Sequence, residues 1–304
     1  MSRDYRLSFI FGQALLKDFV SSRLILPLKG SFGSMKVPRQ IRLGPLTNRI
    51  VRQASGKWKD LYPATQGYAN ECESLLEFVA DRNQFDRFLS RLCARREQRD
   101  EALNEIRAAY LIDLIGYPIL AWEPTDKPPR NVEFLVDLGV GFGAGYVEVK
   151  SPGWQAELSR VEQIDGRKKL PKNIDAELRA ATPVEVIRRT VEKAAPKFSG
   201  NHPSLIVISD DCFVNLGNWG WGPLHLALTS ATIAYEAGLF TLAAFQSVGG
   251  VALLWAKSTS PKGVEYAAIC LANPNAQATA TLPLDLVVRL CTKLREPSSR
   301  KDAG

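Results

Sequence analysis

The chain has 304 residues, 45% of them hydrophobic and 23% charged, with 18 Pro and 22 Gly, a composition that excludes a disordered tail protein, a collagen-like repeat and a coiled-coil rod. Lys and Arg outnumber Asp and Glu by 39 to 32, a net charge of +7, and a chain of this length buries roughly three quarters of its unfolded surface without needing a disulfide framework. The five cysteines (Cys72, Cys93, Cys212, Cys270 and Cys291) are odd in number and never form a Cys-x-x-Cys pair. With His202 and His225 as the only histidines, this argues against a thiolate or imidazole zinc site and for free thiols in a reducing cytoplasm.

Taken in chain order, residues 1–70 are rich in Gly, Pro and basic side chains, and their lack of periodicity predicts an irregular or mixed segment. From Glu71 to about Ala94 the apolar residues Leu75, Leu76, Phe78, Val79, Phe85, Phe88, Leu89 and Leu92 recur at helical spacing. A second helix is expected from about Gln98 to Ile115, stopped by Gly116 with Pro118 beyond. Short β-rich runs follow at Ile119–Trp122, Val132–Leu138 and Tyr146–Lys150, then a charged, Pro-broken stretch from about Glu157 to Pro183. Thr182-Pro183 reads as the cap and first turn of a helix reaching about Phe198. Leu205–Ser209 reads as a buried strand, followed by a Gly/Trp loop and a helix from about Pro223. Strands near Val251–Ala256 and Tyr266–Leu271 and a last helix near Leu284–Leu294 complete an α/β chain without internal repeats. The division expected is a basic, partly helical N-terminal extension over 1–95 and an α/β core over 96–304.

The positive charge is uneven: residues 1–60 carry twelve Lys or Arg against three Asp, more than the whole surplus. A second cluster is Arg167, Lys168, Lys169 and Lys172. One-sided basic segments suit a polyanion partner, and Lys57 and Lys59, around Trp58, join that cluster as candidate phosphate contacts. Lys193 and Lys197, four apart on one helix, could face a backbone but by default face solvent. Trp219 and Trp221 could stack on bases, though a packed loop is the simpler reading, and His202 and His225 read as structural. The apolar run Leu7–Leu16 is closed by Lys17 and Asp18 and is not read as a signal peptide. Gly238–Ala256 is uncharged for 19 residues, but Gln246, Ser247, Gly249 and Gly250 interrupt it; a helix, a Gly turn and a core strand explain it better than a membrane span.

The chemistry gathers in two places. On the helix of Gln98–Ile115, Glu105 falls on the face of Ala108, Ala109 and Ile112 at 100° per residue, and a carboxylate aimed at a packed face is costly unless a cation receives it. Two strands then flank Gly139-Val-Gly-Phe-Gly-Ala-Gly145, a hairpin turn and not a dinucleotide fingerprint, because a strand and no helix follows it. Glu133 and Asp137 share one face of the first strand; on the second, Glu148 and Lys150 share a face opposite Val147 and Val149.

In this order (a helix glutamate, a strand acid, then Glu148-Val149-Lys150) the sequence resembles the PD-(D/E)XK phosphodiesterase superfamily over roughly residues 100–210. The resemblance implies a restriction-endonuclease-like core, a mixed central sheet flanked by helices, and a Mg²⁺- or Mn²⁺-dependent nuclease acting on DNA. It implies that Glu133 or Asp137, Glu148 and the Val149 carbonyl bind the ion, that Glu105 holds a second ion or a metal-bound water, and that Lys150 orients the attacking water. The departure is at the second acid, where Val132-Glu133 stands in place of the family's Pro-Asp; Glu133 is taken for that slot because the apolar run Phe134-Leu-Val136 follows it, with Asp137 as the close rival. The same departure suits an alternative, a non-catalytic nucleic-acid- or protein-binding module on the same fold.

Overall fold

The computed structural model describes residues 41–54, 66–94, 96–124, 132–151, 183–210, 221–232, 235–260 and 263–292. Lys57, Lys59, Arg167, Lys168, Lys169, Lys172 and Trp219 lie outside these residues. Four helices come first: α1 (Pro45–Gln53), α2 (Gln66–Ala80), α3 (Phe85–Leu92) and α4 (Arg96–Leu114). Strands β1 (Ile119–Trp122), β2 (Phe134–Asp137) and β3 (Ala144–Lys150) follow, then α5 (Pro183–Ala194), β4 (Ser204–Asp210), α6 (Trp221–Thr229), β5 (Gly250–Ser260), β6 (Gly263–Ala272) and α7 (Leu284–Thr292).

The six strands form one open mixed sheet in sequence order. β1, β2 and β3 pair antiparallel, β3–β4 and β4–β5 parallel, and β5–β6 antiparallel. Parallel neighbours need long crossovers, which lay α5 and α6 on one face; α2–α4, which precede the strands, cover the other. Strand β4 shows the consequence: Leu205 and Val207 belong to one apolar core and Ile206 and Ile208 to another on the opposite face. The first core is filled from α2, α3 and α4, with Leu76, Phe88 and Ile112 against Phe134 and Val149. The second is filled from α5 and α6, with Ile187, Val191 and Leu228 against Ile206, Leu253 and Ile269. A central parallel strand buried on both faces has to be apolar throughout, as Leu205–Ile208 is.

Several expectations are corrected. The helical spacing over 71–94 covers two helices, α2 and α3, separated by a turn in which Asn83 adopts the left-handed conformation at φ 57°; Asn tolerates that conformation and an α-helix does not continue through it. Of the segment 1–70, expected to be irregular or mixed, the described residues hold α1 and the first turn of α2, in keeping with the mixed reading, and Ile50 of α1 joins the same core as the sheet. Helix α5 stops at Ala194 and tightens into a 3₁₀ turn at Ala195–Lys197, because Pro196 supplies no N–H to continue the ladder. In place of a helix after Gly238 stand two 3₁₀ turns, Leu239–Thr241 and Ala243–Phe245. So short a run cannot repay helix nucleation, and Leu239, Phe240 and Phe245 are buried from these turns instead. Among the described residues no helix is long and apolar enough to cross a membrane.

Two local devices position the site. Helix α4 ends at Gly116 (φ 98°), where the Tyr117 N–H donates to the Ile112 carbonyl at 3.2 Å and the chain turns into β1. The β2–β3 hairpin turns through Gly139, Gly141 and Gly143, at φ 82°, 91° and 67°, a conformation that L side chains resist.

Candidate functional site

The β2–β3 register pairs Phe134 with Val147 and Asp137 with Ala144. The paired register stops there; just before β2 the Glu133 N–H also donates to the Val147 carbonyl at 3.1 Å, so Glu133 sits beside the Phe134–Val147 pair, one residue along β3 from Glu148. The Glu123 N–H in turn donates to the Glu133 carbonyl at 2.9 Å. Glu123 just after β1, Glu133 just before β2 and Glu148 on β3 thus form a row at one end of these strands, with side-chain exposures of 51%, 15% and 0%. Like charges opposite each other on a sheet repel, and such a row stands only with cations nearby.

Those cations are present. Lys150, two residues along β3, pairs with Glu148 Oε1. Lys197 Nζ, from the 3₁₀ turn after α5, lies 2.7 Å from Glu148 Oε1, 2.9 Å from its Oε2 and 3.7 Å from Glu133 Oε1. Lys197 thus turns inward to the acidic row, against its default of facing solvent, and joins the site as a residue that sequence reasoning missed. Glu105 on α4, 9% exposed at its side chain, is received by Arg91 on α3, whose Nη1 donates to Oε2 at 2.6 Å while Nη2 pairs with Oε1. This is the cationic partner that burial of Glu105 requires. Arg87 holds Glu123 at 2.7 Å.

Arg91, Glu101, Glu105, Glu123, Glu133, Val149, Lys150 and Ser151 line one cleft of about 420 Å³. Sequence-predicted Glu105, Glu133, Val149 and Lys150 meet there, with Glu148 buried behind Lys150. Asp137 does not join them. It sits at the far end of β2, four residues or roughly 13 Å along the strand from Glu133, where its Oδ1 accepts from the Gly139 N–H at 2.8 Å and caps the hairpin turn. Of the remaining candidates, Trp221 opens α6, exposed, with its ring 5.9 Å from His225; His202 packs edge-on to Tyr146 at 5.0 Å.

The cleft's floor is tied to the core by a polar network. The Asn104 amide, next to Glu105 on α4, donates to Ser151 Oγ at 2.6 Å, and its Oδ1 accepts from Ser209 Oγ at 3.2 Å and from Arg107. Arg107, 1% exposed, donates to Glu71 Oε1 on α2 at 2.8 Å, and Tyr266 on β6 donates to the same oxygen.

Crowding of carboxylates shows in their acidities. Burial, then the charges of Glu105 and Glu148, push the Glu133 carboxyl up from its ordinary 4.5 to about 7, with Lys197 and Lys150 pulling it back only in part. Burial also raises Glu105, opposed by Arg91. For Lys150, burial favours the neutral amine, but Glu148, Glu133 and Glu105 outweigh it and hold the ammonium charged above its ordinary range.

The sign of the Glu133 effect gives a stability prediction. Because the folded-state value lies above the unfolded one, the folded protein holds a proton that the unfolded chain has lost between pH 4.5 and about 7. Stability therefore falls through that window as pH rises, by up to roughly 3 kcal/mol. Glu133→Gln mimics the protonated acid: its urea midpoint is expected to match wild type at pH 4.5 and exceed it at pH 8. An equal change at both pH values contradicts the assignment.

Hard carboxylate oxygens suit Mg²⁺, which is held by one or two carboxylates together with waters and substrate phosphates. Among the described residues no three His, Cys, Asp or Glu side chains form a ready chelate; an ion held by one or two carboxylates needs no such cage. Compared with protein-family models, curated proteins and solved structures, the chain matches none.

Proposed function

We propose that this cleft is the active site of a metal-dependent phosphodiesterase that hydrolyses nucleic acid, with DNA as the substrate to test first, on a restriction-endonuclease-like core. One observation carries the reading: Glu105, Glu133 and Lys150 line one cleft, the Lys150 ammonium pairs with the buried Glu148, and Lys197 reaches both Glu148 and Glu133. The mixed sheet with helices on both faces is consistent with that core.

Glu133 and Glu148, with the Val149 carbonyl, would hold the ion, and Glu105 a second ion or a bound water. Such an ion supplies charge neutralisation at the phosphate and a more acidic water. The chain's own residues supply orientation. Lys150, kept protonated by its acidic neighbours, is suited to fix the attacking water and to stabilise negative charge as it develops, and is poorly suited to remove a proton. Water adds to phosphorus, the P–O bond to one sugar breaks, and the products are a phosphate end and a hydroxyl end. The buried Asn104–Ser151 contact fixes the chain just after Lys150, so the ammonium is aimed by packing.

A second reading is favoured by a specific feature: Glu105 and Glu148 already have cations, Arg91 on one and Lys150 with Lys197 on the other. A module that only binds nucleic acid could keep these pairs for stability. Incubation of the purified protein with supercoiled and linear DNA decides between them. The proposal expects cleavage in Mg²⁺ or Mn²⁺, none in EDTA, and loss in Glu148→Gln; salt-sensitive binding without cleavage selects the binding module.

A further inference from the structure

We propose that Arg91 is a latch on Glu105, exchanged between that carboxylate and a substrate phosphate, so that nucleic acid and divalent cation bind cooperatively; this rests on the phosphodiesterase reading of the cleft.

Four glutamates (Glu101, Glu105, Glu123 and Glu133) line the cleft against two cations, Arg91 and Lys150. A polyanion entering such a cleft meets net repulsion unless a cation is freed to meet it. The cations are not equally free. Lys150 shares the fully buried Glu148 with Lys197. Arg87 is held on Glu123 at 2.7 Å with its guanidinium 5.7 Å over the Trp122 ring. Arg91 differs: it lines the cleft, is one-third exposed (33%), and spends both arms of its guanidinium on one carboxylate.

That planar fork fits a phosphate as well as it fits a carboxylate. If Arg91 turns to a phosphate, Glu105, 9% exposed, is left as a buried charge without a partner, a cost that a divalent cation or its bound water removes. In the other direction, a cation arriving at Glu105 repels Arg91 and releases it to the phosphate. Each ligand offsets the cost of admitting the other, and by linkage each strengthens the other by the same factor.

The test measures Mn²⁺ affinity by calorimetry and electron paramagnetic resonance, with and without a hydrolysis-resistant phosphorothioate duplex. Wild type is expected to bind Mn²⁺ about tenfold more tightly with the duplex, and the duplex about tenfold more tightly with Mn²⁺. In Arg91→Ala the coupling is expected to fall below about twofold, and the salt slope of duplex binding to drop by about one. Should Arg91→Ala fail to fold, Glu105→Gln serves: it frees Arg91, so metal-free duplex binding is expected to tighten severalfold. Equal Mn²⁺ affinity with and without duplex, wild-type coupling in Arg91→Ala, or unchanged metal-free duplex binding in Glu105→Gln each overturns the latch. Absence of Mn²⁺ binding in both conditions overturns the phosphodiesterase reading and the latch with it.

Discussion

Lys150→Ala is expected to lower Mg²⁺-dependent DNA cleavage by about 10²–10³-fold, with the urea midpoint close to wild type. The magnitude is that of removing one preorganised charge from a developing anion. The fold should tolerate it because Glu148, although fully buried, keeps Lys197 at 2.7 and 2.9 Å. Lys197 is the informative control. It bridges Glu148 and Glu133 without lining the cleft, so Lys197→Met should cost stability first, by exposing the repulsion between the two glutamates. Retained cleavage in Lys150→Ala together with loss in a folded Lys197→Met would move the catalytic ammonium from the strand to the turn after α5.

The second large effect concerns Arg107. This guanidinium is buried at 1% exposure between Glu71, Asn104 and the Tyr266 ring, whose centroid is 5.2 Å from its Cζ. Arg107→Met leaves Glu71 as an uncompensated charge in the interior, a defect that typically costs about 3–5 kcal/mol. The double variant Glu71→Gln with Arg107→Met should recover most of that loss, since neither remaining side chain is charged. Equilibrium urea denaturation of the four proteins measures the coupling; additive losses would contradict a single network. Because Asn104 joins Arg107 to Ser151, the single variant should also weaken cleavage under conditions where it remains folded.

The sequence was informative where chemistry and local geometry coincide. The Glu148-Val149-Lys150 alternation put an acid and an ammonium on one strand face, and the glycines at 139, 141 and 143 marked the hairpin that brings Glu133 near Glu148. The apolar second half of α4 required a partner for Glu105. What could not be read was which cation answered. Arg91 lies 14 residues from Glu105 and Lys197 lies 49 from Glu148, and both look like ordinary solvated charges until the chain folds. Between Glu133 and Asp137 the apolar run after Glu133 favoured that residue, but their shared strand face left Asp137 a close rival. The fold separates them: Asp137 pairs at the hairpin end with Ala144, while Glu133, before the other end of β2, shares Lys197 with Glu148. The break between α2 and α3 was hidden because the apolar spacing happens to persist across Asn83, where the left-handed backbone and the Gln84 N–H bond to the Val79 carbonyl end the helix.

Everything functional depends on the row of glutamates taking a divalent ion. The most direct measurement is anomalous scattering from Mn²⁺ in crystals of the protein bound to a hydrolysis-resistant duplex. The account predicts a peak at Glu133 and Glu148, touching the Val149 carbonyl, with a phosphate oxygen completing the coordination. A fully formed complex with no manganese at these two carboxylates, or with Lys150 and Lys197 still filling the space between them, would contradict it.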